Sequence, residues 1–193
     1  MQLVEKHVIK ANNPFFAAID KAAFAAKNLY NLANYTIRQN FFETGIVYSF
    51  PEMNKLLMTS DVYKALPAKV SQQVLRLLDK NWKSFGKAKA EWKKNPEKFL
   101  GRPALPKYKD KEKGRNILVY TIQAISKPLL KIDQIRFSGL PVAIKTKQKE
   151  IAQVRVVPKS IHYVIEVVYN VEPVDFGLDK SLVAGIDLGS LSD

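Results

Sequence analysis

The sequence predicts an α+β fold in which a small antiparallel β-barrel is interrupted, after its first strand, by a helical insertion. Three observations carry this expectation. A β-type segment at Leu3 to Lys10 is followed at once by a long helical pattern. Apolar spacing of three and four then persists to about residue 95. From Asn116 onward the period switches to two. The chain has 193 residues, 47% of them hydrophobic and 10% aromatic, which is enough apolar material for one substantial core or two small ones and far from a disordered composition.

Leu3 to Lys10 mixes Val4, Val8 and Ile9 with Glu5, Lys6 and His7 and reads as a half-exposed strand. Asn12-Asn13-Pro14 breaks it with a capping residue and a proline suited to a first helical turn. From Phe15 to Phe42 the residues Ile19, Ala22, Ala26, Tyr30, Ala33 and Ile37 recur at three and four, a single amphipathic helix that Gly45 ends. A short helical piece around Met53 to Met58 and a loop through Asp61 and Pro67 follow. A second long helix runs from about Ala68 to Asn95, stopped by Pro96, with Val70, Val74, Leu77, Leu78, Phe85 and Trp92 on its apolar side. Trp82 and Trp92 read as packing residues.

Turn formers then dominate Gly101-Arg102-Pro103-Ala104-Leu105-Pro106, which forbids regular structure there. Beyond it, Ile117 to Ile122, Leu130 to Ile132, Val142 to Ile144, Ile151 to Val157 and Ile161 to Val171 are β-branched and aromatic runs separated by Pro- and Gly-containing turns. Ile161, Tyr163, Ile165, Val167 and Tyr169 share one face of the last strand, and five or six such strands with the N-terminal one suit a small barrel.

Charge narrows the partner. The net charge is +13, and from Lys69 to Arg115 there are 15 Lys or Arg against 5 Asp or Glu. A local excess of that size is the footprint of a polyanion, because each neutralised phosphate releases condensed counterions. On the second long helix Lys69, Arg76, Lys80, Lys83, Lys87 and Lys94 fall, at about 100° per residue, within a stripe roughly 60° wide opposite the apolar side. Like charges three and four residues apart repel, so helix stability does not account for the row. After the helix, Arg102, Lys107, Tyr108, Lys109, Lys111, Lys113 and Arg115 place cations around one aromatic ring, a pairing that suits sugar-phosphate with exposed bases and equally suits a flexible charged linker. A solvated basic face is the competing reading of both segments.

Zero cysteines exclude disulfides and thiolate zinc sites within these residues, and His7 and His162 are too few and too far apart for a metal cage. No run of about 18 apolar residues is present and the N-terminus lacks a secretory core, so a soluble, intracellular protein without a membrane partner is expected. The last apolar run, Leu182-Val183-Ala184-Gly185-Ile186, delivers Asp187 into a glycine turn, the way RNase H-like folds present a first metal-binding carboxylate.

In their order these segments resemble the N-terminal half of the TnpB (OrfB) proteins of bacterial insertion sequences, RNA-guided endonucleases related to compact type V CRISPR effectors. The similarity rests on Leu66-Pro67 leading into Val70-Ser71-Gln72-Gln73-Val74-Leu75 with Trp82 and Phe85 downstream, and on Arg102-Pro103 with Pro106-Lys107-Tyr108-Lys109. It continues in Val154-Arg155-Val156-Val157-Pro158-Lys159 into Tyr163-Val164, and in Gly185-Ile186-Asp187-Leu188-Gly189. The resemblance implies a wedge (WED) domain of OB-like barrel form whose first strand is residues 1–11 and whose remainder is 101–180. It implies a helical recognition (REC) insertion at 12–100 and the opening strand of a RuvC nuclease domain at 181–193.

It further implies guide RNA and target double-stranded DNA as partners and a prokaryotic cytoplasmic setting. Asp187 matches the first RuvC carboxylate, a ligand of the Mg²⁺ that the full-length nuclease uses, while the family's zinc-binding cysteines have no counterpart. Two Mg²⁺ ions need several carboxylates, so the 193-residue chain alone is expected neither to hold the metal nor to cleave DNA. Ser190-Leu191-Ser192-Asp193 departs from the family, which usually continues with a small or aliphatic residue and an Asn pair. Two rival readings stand beside this one. A regulator that only binds nucleic acid would use the same surfaces, and Gly185 to Ser190 is also similar to the phosphate-binding hairpin of actin-like and Hsp70-type ATPases. The apolar tail is expected to be disordered, to self-associate with another copy, or to stick to the barrel.

Overall fold

The computed structural model describes residues 1–172 and residue 177. Strand β1 (Gln2–Lys10) leads through Asn13, whose side chain accepts a hydrogen bond from Phe15 N at 2.9 Å, into α1 (Phe16–Thr44). Helices α2 (Phe50–Leu57) and α3 (Asp61–Lys64) follow, the latter within the stretch expected to be loop. Ser49 and Glu52 make a capping box at the start of α2, and Ser60 caps α3 by accepting from Tyr63 N. Helix α4 (Ala68–Lys94) stops just before Pro96, as the missing N–H of proline requires.

After an irregular segment come β2 (Leu118–Thr121), α5 (Lys127–Leu130), β3 (Gln134–Arg136), β4 (Ala143–Lys145), β5 (Ile151–Pro158) and β6 (His162–Asn170). The fold is α+β. Strands β1, β6, β5 and β2 form, in that order, one antiparallel sheet, and β3 pairs with β4 alone.

Leu118, Tyr120, Val154, Val156, Tyr163, Ile165, Val167 and Ile9 share the inner face of the sheet and are buried. Against them pack Ile19, Ala22, Ala23 and Ala26 of α1 and Val70, Val74 and Leu78 of α4, so helices and sheet share one contiguous apolar cluster. Alanine at three of these four α1 positions lets the helix approach closely.

The expected barrel is not closed. No ladder joins the edge strand β1 to the β3–β4 hairpin among the described residues; the hairpin is tied to the segment before it by the Ile125–Phe137 bridge and the Ser126 N–Arg136 O and Ser138 N–Ala124 O bonds, and Ile135, Phe137 and Ile144 join the core. Side chains cross the gap instead. Glu5 of β1 accepts from Thr146 Oγ1 at 3.1 Å and Gln148 Nε2 at 3.0 Å, just past β4, and pairs with His7 at 2.6 Å. Partial burial pushes the Glu5 carboxyl up, but these hydrogen bonds outweigh it and hold the group below its ordinary value.

Two further expectations fail locally. Leu130 to Ile132 is not a strand: Pro128 sits in the first turn of α5, where a missing N–H costs nothing, and Leu130 N bonds back to Ser126 O. The strand falls instead on Gln134–Arg136, which has a single apolar residue. Ile161 is 80% exposed, because it precedes β6, whereas Tyr163, Ile165 and Val167 are buried as the period-two pattern requires. Among the described residues no helix is long and apolar enough to cross a membrane.

Candidate nucleic-acid interface

Helix α4 buries Val70, Ser71, Val74, Leu75, Leu78 and Trp82 against α1, α2 and the sheet. The opposite side carries the cations. Lys69, Arg76, Lys80, Lys83, Lys87 and Lys94 are all exposed, so the six residues that the helical period groups together share one solvent-facing side. Among the described residues two of them have protein partners: Lys83 pairs with Asp79 at 2.7 Å one turn back, and the Arg76 guanidinium lies 4.0 Å from the Phe50 ring centroid. At 1.5 Å per residue the row from Lys69 to Lys94 spans about 38 Å.

The segment from Arg102 to Arg115 has no regular structure, yet it is pinned along α1 as a strap. Pro106 O accepts from Asn34 Nδ2 at 2.9 Å and from an Arg38 guanidinium N–H at 2.7 Å. Asn31 and Lys109 exchange two hydrogen bonds, at 2.8 and 2.9 Å. The buried Lys27 ammonium donates to Lys111 O at 2.6 Å and lies 3.7 Å from the Phe24 ring centroid. At the far end the Arg115 guanidinium forks onto Asp20 at 2.7 and 2.8 Å, and Asn116 N bonds Ala23 O at 3.0 Å. A tight turn precedes this anchor, with Asp110 Oδ1 accepting from Glu112 N and Lys113 N. Only glycine fits at 114, since a Cβ there would lie 2.3 Å from the Asp110 carbonyl oxygen.

This pinning sorts the strap's cations. Arg102, Lys107, Lys111 and Lys113 are exposed, and so is the Tyr108 ring, which stacks on Arg38 at 4.5 Å. Lys109 is half-buried near the Tyr30 ring, and desolvation lowers its pKa. Arg115 is committed to Asp20. The Arg115 hydrogen bonds hold the Asp20 carboxyl below its ordinary range, against a smaller upward push from burial, and Tyr163 Oη donates to the same carboxylate at 2.6 Å. Burial, then the Asp20 carboxylate, raises the Tyr163 phenol. Desolvation lowers the pKa of Lys27, and neighbouring Arg115 adds to the shift.

The residues that hold the strap escaped the sequence reading, although their signal is simple. Asp20, Lys27, Asn31, Asn34 and Arg38 each follow by one position a member of the apolar set Ile19, Ala26, Tyr30, Ala33 and Ile37. They therefore form a polar seam about 100° around the helix from the apolar stripe. Asn34, fully buried, is the hub, because its Oδ1 also accepts from Trp82 Nε1 at 3.0 Å and so ties α1, α4 and the strap together.

Between strap and α4 lies a groove of about 460 Å³, lined on the helix side by Asn81, Ser84, Phe85 and Ala88 and on the strap side by Pro103, Pro106 and Lys107. Among the described residues no cluster of three or more His, Cys, Asp or Glu is placed to hold a metal. Asp187, and with it the glycine-rich hairpin of the ATPase reading, lies outside the described residues. No protein-family model matches this chain, and no curated protein matches it.

Proposed function

We propose that this chain is the polynucleotide-gripping portion of an RNA-guided DNA endonuclease of the TnpB type, holding guide RNA and target double-stranded DNA by their backbones while base pairing reads the sequence. The observation that carries the reading is the α4 row: six cations exposed on the side opposite the buried face, in a chain of net charge +13. Four of them, Arg76, Lys80, Lys83 and Lys87, succeed one another at four, three and four residues. Such repulsion in the free protein is relieved by phosphates.

The order of elements supports the finer assignment. A strand, a helical block and then the remaining strands suit a WED domain with a REC insertion, and an open sheet whose gap is crossed by Glu5 is one step from an OB-like barrel. In this reading Asp187 opens the RuvC domain and contributes to its Mg²⁺ site. The described residues are assigned binding, and no metal-dependent step.

The test is the salt dependence of binding to short fluorescein-labelled RNA and duplex DNA. Each phosphate contact contributes about 0.7 (single strand) to 0.9 (duplex) to the slope of log K against log salt. Lys80→Gln with Lys87→Gln should lower the slope by about 1.4 to 1.8 at unchanged melting temperature. A flat plot for the unaltered chain, or a slope indifferent to the double substitution, would refute the assignment.

A further inference from the structure

We propose that the groove between α4 and the strap takes one unstacked nucleobase of a single-stranded segment whose phosphates run along the α4 cations. The inference rests on the nucleic-acid reading above and adds to it a base-binding site and a strand type. On the helix side, Asn81, Ser84, Phe85 and Ala88 recur at three, four and seven residues and so form one continuous wall. The facing wall is Pro103 and Pro106, whose rings are apolar and flat-sided and whose nitrogens carry no hydrogen. A planar heterocycle suits such walls; Ser84 Oγ and the Asn81 amide, one N–H of which donates to Tyr30 Oη at 3.2 Å, offer hydrogen-bonding groups to its edge.

Cations stand on both lips. Lys107 belongs to the strap side. On the helix side Ser84 is the i,i+4 neighbour of Lys80 and the i,i+3 neighbour of Lys87, both exposed. A phosphate held by those two lysines therefore sits beside the groove mouth, which is where the backbone of a nucleotide inserting its base must lie. An uncharged apolar ligand would make no use of these cations, whereas a nucleotide places its phosphate on them and its base between the walls. Duplexes keep their bases stacked, so the occupant is a single strand.

The groove is also formed in advance. Its far wall is fixed by the Asn34 and Arg38 bonds to Pro106 and by the Asn31–Lys109 pair, so little ordering is needed on binding.

The experiment compares a short fluorescein-labelled single-stranded RNA with an abasic strand of equal length and charge, for the unaltered chain and for Ala88→Leu and Ser84→Gln. Both substitutions keep a good helix former on α4 while filling the groove, and the exposed position of Ser84 keeps the second independent of any packing fault in the first. The base-bearing strand is expected to bind the unaltered chain about tenfold more tightly than the abasic one, and the variants to lose that margin while the salt slope stays the same. Equal affinity of the unaltered chain for the two strands, or variants that weaken both equally, would overturn the base site and leave the phosphate reading intact. Failure of both strands to bind at all would overturn both.

Discussion

Asn34→Ala is the most demanding test of how the interface is built, because one fully buried amide joins three elements. The substitution removes the bond to Pro106 O and the bond from Trp82 Nε1. Each neutral hydrogen bond contributes about 1 kcal/mol net, and an indole N–H left without a partner in the core costs about 1–3 kcal/mol. Pro106 O keeps its Arg38 donor, so only the Trp82 side is orphaned. The better helix propensity of alanine returns roughly 0.5 kcal/mol. The expected loss is therefore about 3 kcal/mol, read from urea unfolding followed by tryptophan fluorescence. Hydrogen exchange should loosen at residues 106–111 first, since the strap loses its central tie. Asn28→Ala, at an exposed position on the same helix, serves as the control and should stay within about 0.5 kcal/mol. A loss for Asn34→Ala no larger than that of Asn28→Ala, or a strap whose exchange is unchanged, would refute the account of the strap as a preformed wall.

Two further outcomes are expected. The Asp20 carboxyl is held below its ordinary value in the folded chain, so its pairing stabilises fully above about pH 4, the unfolded value, and is lost as pH falls through the depressed folded one. Asp20→Asn should thus cost about 1–2 kcal/mol at pH 7, discounted for partial exposure, and the gap should close in acid; a gap independent of pH between 7 and 2 would exclude the Arg115 pairing as its source. Gly139 has φ of 72°, and a Cβ there would lie 2.5 Å from Pro67 Cγ, so Gly139→Ala should cost about 2–3 kcal/mol in thermal melts. A loss under about 0.5 kcal/mol would mean that the loop after β3 does not rest on the α3–α4 connection.

The long elements were legible because their burial is one-sided. Helix α4 could be drawn from the sequence to within a residue or two, and its cations fall where the 100° period puts them, since a 27-residue amphipathic helix has no alternative way to hide Val70, Val74 and Leu78. Strands β5 and β6 were legible from their β-branched content; in β6 Tyr163, Ile165 and Val167 line the inner face as period two requires, but Val164 and Val168 are buried on the other face as well. Short elements were legible only in part. Strands β2 and β4 fall on the apolar runs Ile117 to Ile122 and, one residue on, Val142 to Ile144, but Gln134–Arg136 holds a strand with only Ile135 buried, too little pattern to mark it. The strap shows a different blind spot. Pro and Gly correctly excluded regular structure from Gly101 to Pro106, but irregular backbone is not mobile backbone, and its order comes from side chains of α1 more than 65 residues away, which no local pattern reports.

That order has an electrostatic consequence for the interface. Cations that a charge count lumps together divide into two groups once the strap is pinned. Lys27, Arg38 and Arg115 spend their donors on Lys111 O, Pro106 O and Asp20, inside the protein. A second group, Lys69, Lys80, Lys87 and Lys94 on α4 with Arg102, Lys107, Lys111 and Lys113 on the strap, stays exposed. The first group fixes the backbone that carries half of the second, so the two strips of exposed charge are held at a set separation with the groove between them. A flexible basic tail would gather counterions as well as this surface does, but it would have to order itself around each polynucleotide it met. Fixing the strap to α1 places that ordering cost in folding, where the Asn34 and Asp20 networks offset it, and leaves the binding step to phosphate neutralisation and to the insertion of a base.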